Sequence, residues 1–188
     1  MFSGGLLADA ADSFLLVVDV QQRLTAAMDP SAVEALCRNI NRLSQAASSL
    51  DIPVIKTEQY PQGLGATLEP INSCLPDSCT SLEKTSFSCC GADGFGGALI
   101  DSGCGQAIVV GIESHVCVLQ TAIELLGQGL TVFVVADATL SRSPDNHANA
   151  MQRLDKAGIV VSNTESVLFE WLRDAAHPEF KTISKSLR

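Results

Sequence analysis

Residues 107–122 read AIVVGIESHVCVLQTA. The first five are apolar and mostly β-branched, with no polar alternation. They predict a strand, Ala107–Gly111, that is covered on both faces. A short polar turn, ESH, leads into Val116–Leu126, which is apolar nearly all round, as a buried helix is. A doubly covered strand feeding a buried helix points to a parallel sheet between helical layers.

The same pattern recurs along the chain. Strands are predicted at Phe14–Val18 (FLLVV), Pro53–Ile55, Thr131–Ala136 (TVFVVA) and Gly158–Val161, with a weaker one at Ser81–Ser86. Between them lie helix-length stretches. Ser31–Leu50 carries an apolar stripe of Val33, Leu36, Cys37, Ile40 and Leu43, with Ser31 as its N-cap. A Gly-rich start leads into a helix near Asp93–Ser102. Pro144–Ala157 opens on Ser143-Pro144 and closes at Gly158. Strands alternating with helices require right-handed crossovers. The expectation is a three-layer α-β-α fold with a six-stranded parallel sheet, one domain over residues 1–188. Glu58–Asp77 reads as an irregular loop with Pro61, Gly63, Gly65, Pro70 and Pro76, and loops longer than ~12–15 residues are usually functional or mobile. The polar tail after Pro178 is expected to run over the surface or into a partner subunit.

Composition narrows the function. Of 188 residues 46% are hydrophobic and 18% charged, too apolar for a disordered chain. Twelve Lys+Arg against 21 Asp+Glu give a net charge of −9. Nucleic-acid binding needs a basic patch, so this balance argues against it. The opening MFSGGLLADAADS lacks the basic and long apolar regions of a secretory signal, and no apolar run is long enough to span a membrane. Seven cysteines cannot all pair within one chain, which predicts reduced thiols in a cytoplasmic protein.

Parallel sheets bind ligands at the carboxyl ends of their strands. Asp19 follows the first strand, Lys84 the weak one, and Cys117 lies just after Ala107–Gly111. An acid, an ammonium and a thiol thus share one sheet edge. A thiol is a weak nucleophile until ionised, and a helix start or a nearby ammonium favours the thiolate. A neighbouring carboxylate can take the thiol proton and return it to a leaving group. Free N–H groups at a helix start can bind an oxyanion.

Each residue also has an ordinary explanation. Asp19 could cap a turn. Lys84 could be a solvated surface lysine, and Lys56 also follows a strand. Cys117 alone could be a small buried hydrophobe. His115 reads as pocket lining or a packed turn residue, with a catalytic role the lesser option. Cys74/Cys79 and Cys89/Cys90 lack zinc-site spacing and read as structural or incidental thiols. His147 and His177 have no partner at metal-ligand spacing. The glycine-rich GADGFGG is a poor phosphate loop and reads as a flexible helix start.

At LLVVDVQ around Asp19, EKTSFS around Lys84, VVGIESHVCVLQTA around Cys117 and VVADAT around Asp137, the sequence resembles the isochorismatase-like cysteine hydrolases. The resemblance covers roughly Phe14 to Trp171. It is strongest to the small, metal-free subgroup called isochorismatase domain-containing proteins, through TEQYPQGLG and GIESHVCVLQTA. It implies a Rossmann-like six-stranded fold and an Asp-Lys-Cys triad at Asp19, Lys84 and Cys117. It implies a cis peptide at Ile112-Glu113 that turns the Glu113 N–H toward the oxyanion. It also implies a homo-oligomer, a dimer or larger, whose neighbouring chains can reach the pocket. The aromatic usual after the first motif is Leu24 here. Nicotinamidases carry a histidine-rich metal site after the second strand, whereas KTEQYPQGLG has no histidine, so neither metal nor cofactor is expected. Cys117 favours amidase chemistry over vinyl-ether hydrolysis.

The function read from these residues is a cysteine hydrolase of a small amide, carbamate or related carbonyl substrate, acting through a thioester. Gln22, Tyr60, Phe87 and His115 would shape the pocket, although Tyr60 and Phe87 serve equally well as core or interface residues. The alternative is a catalytically silent protein of the same fold that binds a partner. A redox role for Cys89 and Cys90 is a weak third option, since no C-x-x-C motif is present.

Overall fold

The computed structural model describes residues 4–187; residues 1–3 of the opening stretch lie outside the described part. Six parallel strands form one sheet: β1 (Ser13–Val18), β2 (Val54–Gln59), β3 (Thr80–Lys84), β4 (Gln106–Ile112), β5 (Thr131–Leu140) and β6 (Val160–Ser162). Their order is β3-β2-β1-β4-β5-β6. The helices are α1 (Gln22–Thr25), α2 (Pro30–Ser49), α3 (Pro61–Leu64), α4 (Glu69–Asn72), α5 (Phe95–Ser102), α6 (Leu119–Gly127), α7 (Pro144–Lys156), α8 (Thr164–Leu172) and α9 (Phe180–Ser186).

The non-alternating strands are explained by two cores. On one face Leu15, Val17, Ile108, Val110 and Phe133 pack against α2 and α8. On the other, Phe14, Leu16, Ala107, Val109 and Val134 pack against α5, α6 and α7. Successive residues of one strand therefore serve opposite cores, and neither face is left for water.

Four expectations need correction. Ser31 is not the cap of α2: Asp29 is, accepting from the Ala32 N–H at 3.0 Å with Pro30 in the first turn. Glu58–Asp77 is not a loop throughout, because β2 runs on to Gln59 and α3 and α4 follow it. The polar letters KTEQ hid that extension. The tail does not wander over the surface. Its α9 turns Ile183 into the core beside α2, and Arg42 Nε donates to the Ser186 carbonyl at 2.7 Å. Finally, α6 is preceded by a separate π-turn, Ser114–Val118, that holds Cys117.

Candidate active site

Chain order reverses between the neighbours β1 and β4, and ligands of open α/β sheets bind at such a switch point. Asp19 leaves the end of β1, and the π-turn with Cys117 leaves the end of β4. The two strands approach very closely there. Val18 pairs with Gly111, and a Cβ on Gly111 would lie 2.1 Å from the Val18 carbonyl oxygen. Gly111 also has φ of 113°, which side-chain-bearing residues rarely adopt. Asp19 itself sits at φ 51°, in the left-handed region that Asp tolerates better than most residues. The Ile112-Glu113 peptide is cis.

Lys84, at the end of β3, reaches across to Asp19. Its Nζ lies 2.6 Å from Asp19 Oδ2, and both side chains are fully buried. The ammonium also donates to Gln59 Oε1 at 2.7 Å and to the carbonyls of Phe87 and Ser86 at 3.0 and 3.2 Å. Asp19 Oδ1 accepts from Thr57 Oγ1 at 2.8 Å. The Cys117 thiol lies close enough for the charges of Asp19 and Lys84 to act on it in opposite directions. Acid, ammonium and thiol are therefore brought together.

Electrostatics correct one expectation. Burial pushes the Cys117 thiol well up, the Asp19 charge adds to this, and Lys84 only partly opposes it. The ammonium is already engaged by Asp19, so the sulfur meets a neutralised pair rather than a free cation. Burial and the Asp19 charge thus hold the resting sulfur toward the thiol form rather than the thiolate. Ionisation has to accompany proton transfer to Asp19.

A cavity of about 410 Å³ sits at the amino ends of β2 and β3, far from these groups. The one that contains Cys117 is smaller, about 310 Å³. Its walls are apolar, from Leu24, Leu64, Phe87 and Val116. Gln59, Glu113 and Arg142 supply its polar points. Arg142 is tied to Glu113, whose carboxylate accepts the Arg142 N–H at 2.9 Å and faces the guanidinium at 3.4 Å.

The other sequence candidates separate. Phe87 lines this cavity and is half exposed. Tyr60 lines a neighbouring cleft with Gln62, Glu83 and Asp93, its ring lying over Gly63. Gln22 is exposed beside Gly65. Its neighbour Gln21 is the buried one: its amide accepts from Gln59 N–H at 2.7 Å and donates to the Gly65 carbonyl at 2.6 Å. His115 turns away to Ser141 Oγ at 2.9 Å and Asn146. Lys56 pairs with Glu58 and Asn72. Asp137 accepts from Thr164 and serves the start of α8. Sequence reading missed Thr57, Gln59, Gln21, Arg142 and the proximity of Cys89. The first two only continue a predicted strand start, and periodicity, which reads buried apolar side chains, passes over them.

The fold is a parallel, Rossmann-type α/β sheet with Asp19, Lys84 and the Cys117 cavity gathered at its switch point. Residues 13–166 match the Isochorismatase domain, and the chain belongs to that family. It is similar to Isochorismatase domain-containing protein 1 of Danio rerio, 39% identical over 147 residues, covering 78% of this chain and 51% of that protein. The chain thus spans about half the length of that relative. It is 37% identical to Isochorismatase domain-containing protein 2 of the same fish over 178 residues, 93% of this chain and 86% of that one. Among solved structures, a chain described as MAR1 ribonuclease from Caenorhabditis elegans superposes with a TM-score of 0.90 at 34% identity, over 96% of this chain and 92% of that one. The Escherichia coli YcaC product, described as an octameric hydrolase of unknown specificity, shares the fold (TM-score 0.84, 23% identity, 97% and 96% coverage).

Proposed function

We propose that the chain is a cysteine hydrolase of small amides, carbamates or related carbonyl compounds. Cys117 Sγ attacks the carbonyl carbon while its proton passes to Asp19. The Glu113 and Cys117 backbone N–H groups hold the resulting oxyanion. The tetrahedral adduct collapses, the bond to nitrogen breaks, and Asp19 gives its proton to the departing amine. Water, deprotonated by Asp19, then adds to the thioester. The acid leaves and the sulfur recovers its proton. Lys84 holds Asp19 in place throughout. Neither metal nor cofactor enters this scheme.

The observation that carries this reading is the buried Lys84–Asp19 pair set against the Cys117 thiol at a cavity wall. A buried ion pair is a poor source of stability, because desolvating two charges offsets their attraction. Such a pair beside a nucleophile is better explained by chemistry. The test has two parts. Iodoacetamide is expected to label Cys117 ahead of the other six cysteines, read by peptide mapping. Cys117→Ala and Cys117→Ser are expected to abolish turnover of an amide, carbamate and ester panel while keeping the fold. Uniform labelling together with turnover by Cys117→Ala would overturn the scheme.

The C. elegans neighbour is described as a ribonuclease. For this chain the net charge of −9 and the apolar walls of the cavity argue for a small substrate instead of a nucleic acid. None of the helices among the described residues is long and apolar enough to cross a membrane. The seven cysteines are unpaired, which supports a cytoplasmic setting. We read residues 1–188 as one hydrolase domain. It assembles as a homo-oligomer, a reading encouraged by the octameric description of YcaC.

A further inference from the structure

In the proposed cycle Asp19 is charged at rest and protonated once it has taken the Cys117 proton. Both states must be accommodated in a fully buried place. Lys84 cannot serve both equally, because an ammonium only donates. It holds Oδ2 at 2.6 Å. Oδ1 is held by Thr57 Oγ1 at 2.8 Å. Thr57 is itself buried, and its hydroxyl lies 3.5 Å from Cys89 Sγ, a contact in which either atom can donate. Cys89 is fully buried and anchored by its N–H to Thr121 Oγ1 at 2.9 Å, one helical turn beyond Cys117. Packing does not explain a hydroxyl here. A Val would fill the same space on β2 without a polar atom to desolvate.

We infer that Thr57 is a positioning residue for Asp19, and that the Thr57 hydroxyl and the Cys89 thiol form a reversible hydrogen-bond chain serving both protonation states of that carboxylate. The inference rests on the Cys117–Asp19 chemistry proposed above. When Asp19 is charged, the Thr57 hydroxyl donates to Oδ1 and accepts from the Cys89 thiol. When Asp19 carries the proton on Oδ1, the hydroxyl accepts it and donates to Cys89 Sγ. No covalent bond changes in either residue; an O–H and an S–H rotate. Asp19 therefore keeps one orientation through the cycle, aimed at Cys117.

The test follows the rate of Cys117 alkylation by iodoacetamide from about pH 3 to about pH 9, a range that includes the ordinary ionisation of a carboxylate. In Thr57→Val the ionised carboxylate loses a donor. Alkylation at the acid end is expected to slow about ten-fold, and the acid limb to move up by about one pH unit. Thr57→Ser is expected to restore the wild-type limb. Cys89→Ala, which leaves β2 untouched, is expected to move the limb in the same direction by less. A Thr57→Val limb that coincides with wild type, or a Thr57→Ser limb as displaced as that of Thr57→Val, overturns the inference. An unmoved limb in Cys89→Ala overturns the part given to that thiol. Failure of the cysteine scheme itself looks different: Cys117→Ala would still turn over the panel.

Discussion

Cys117 illustrates how far a single residue can be read from its neighbours in sequence. Asp19, Lys84 and Cys117 meet at one sheet edge because strand ends converge whatever the side chains are, but their place in the sequence does not give the charge state of the sulfur. That depends first on burial and then on the Asp19 charge, which Lys84, held 2.6 Å from Asp19, only partly opposes, and spacing along the chain contains none of this. The same holds for Arg142, whose nearness to Glu113 arises only when the end of β5 folds beside the π-turn. Removing the base should therefore matter more than removing a neighbouring charge. Asp19→Asn is expected to slow Cys117 alkylation by about 10²-fold, the lower end of a general-base contribution. Loss of its lead over Cys74 and Cys90 should accompany this. An unchanged rate would show that Asp19 is not the base.

At the level of strands and turns, apolar runs located five of the six strands and a weaker signal the sixth, β3, but the polar end of β2 was invisible. β2 continues through Lys56–Gln59, and those residues supply Thr57 and Gln59 to the site. Periodicity sees buried apolar side chains; it is blind to a threonine buried for its hydroxyl. Gly111 shows the reverse case, a residue whose need is purely of backbone. Gly111→Ala places a Cβ 2.1 Å from the Val18 carbonyl oxygen, so the β1–β4 pairing next to Asp19 has to open. The expected loss is more than about 3 kcal/mol in a denaturant titration, or failure to fold. The π-turn is held from α7, where His147 Nδ1 meets the fully buried Ser114 Oγ at 2.9 Å. Burial lowers the His147 pKa from 6.5. The unfolded chain therefore binds this proton more readily than the folded one. The penalty is absent well above pH 6.5 and grows as pH falls below it, so stability should decline on acidification in that window. His147→Gln is expected to flatten that part of a stability–pH curve, and an unaltered slope would contradict the assignment.

Across the molecule, two cores on either side of one sheet explain a chain this apolar and this poor in charge. The C-terminal helix was the largest misreading. Its polar letters suggested a surface tail, yet one isoleucine carries it into the core beside α2. Two apolar positions, Phe180 and Ile183, in so short a helix give too weak a stripe to recognise. Ile183→Ala should therefore cost about 2–5 kcal/mol, as buried Ile truncations do, measured by thermal or chemical unfolding. A loss near zero would mean the tail is dispensable.

The scheme is tested most directly by acid-quenching the protein during turnover of an ester or amide from the panel and mapping the acylated peptides. The predicted result is an acyl mass on the peptide bearing Cys117, released by hydroxylamine as a thioester is, and absent from Cys117→Ala. Product formation with no acyl group on that sulfur, or with acylation at another residue, would contradict it.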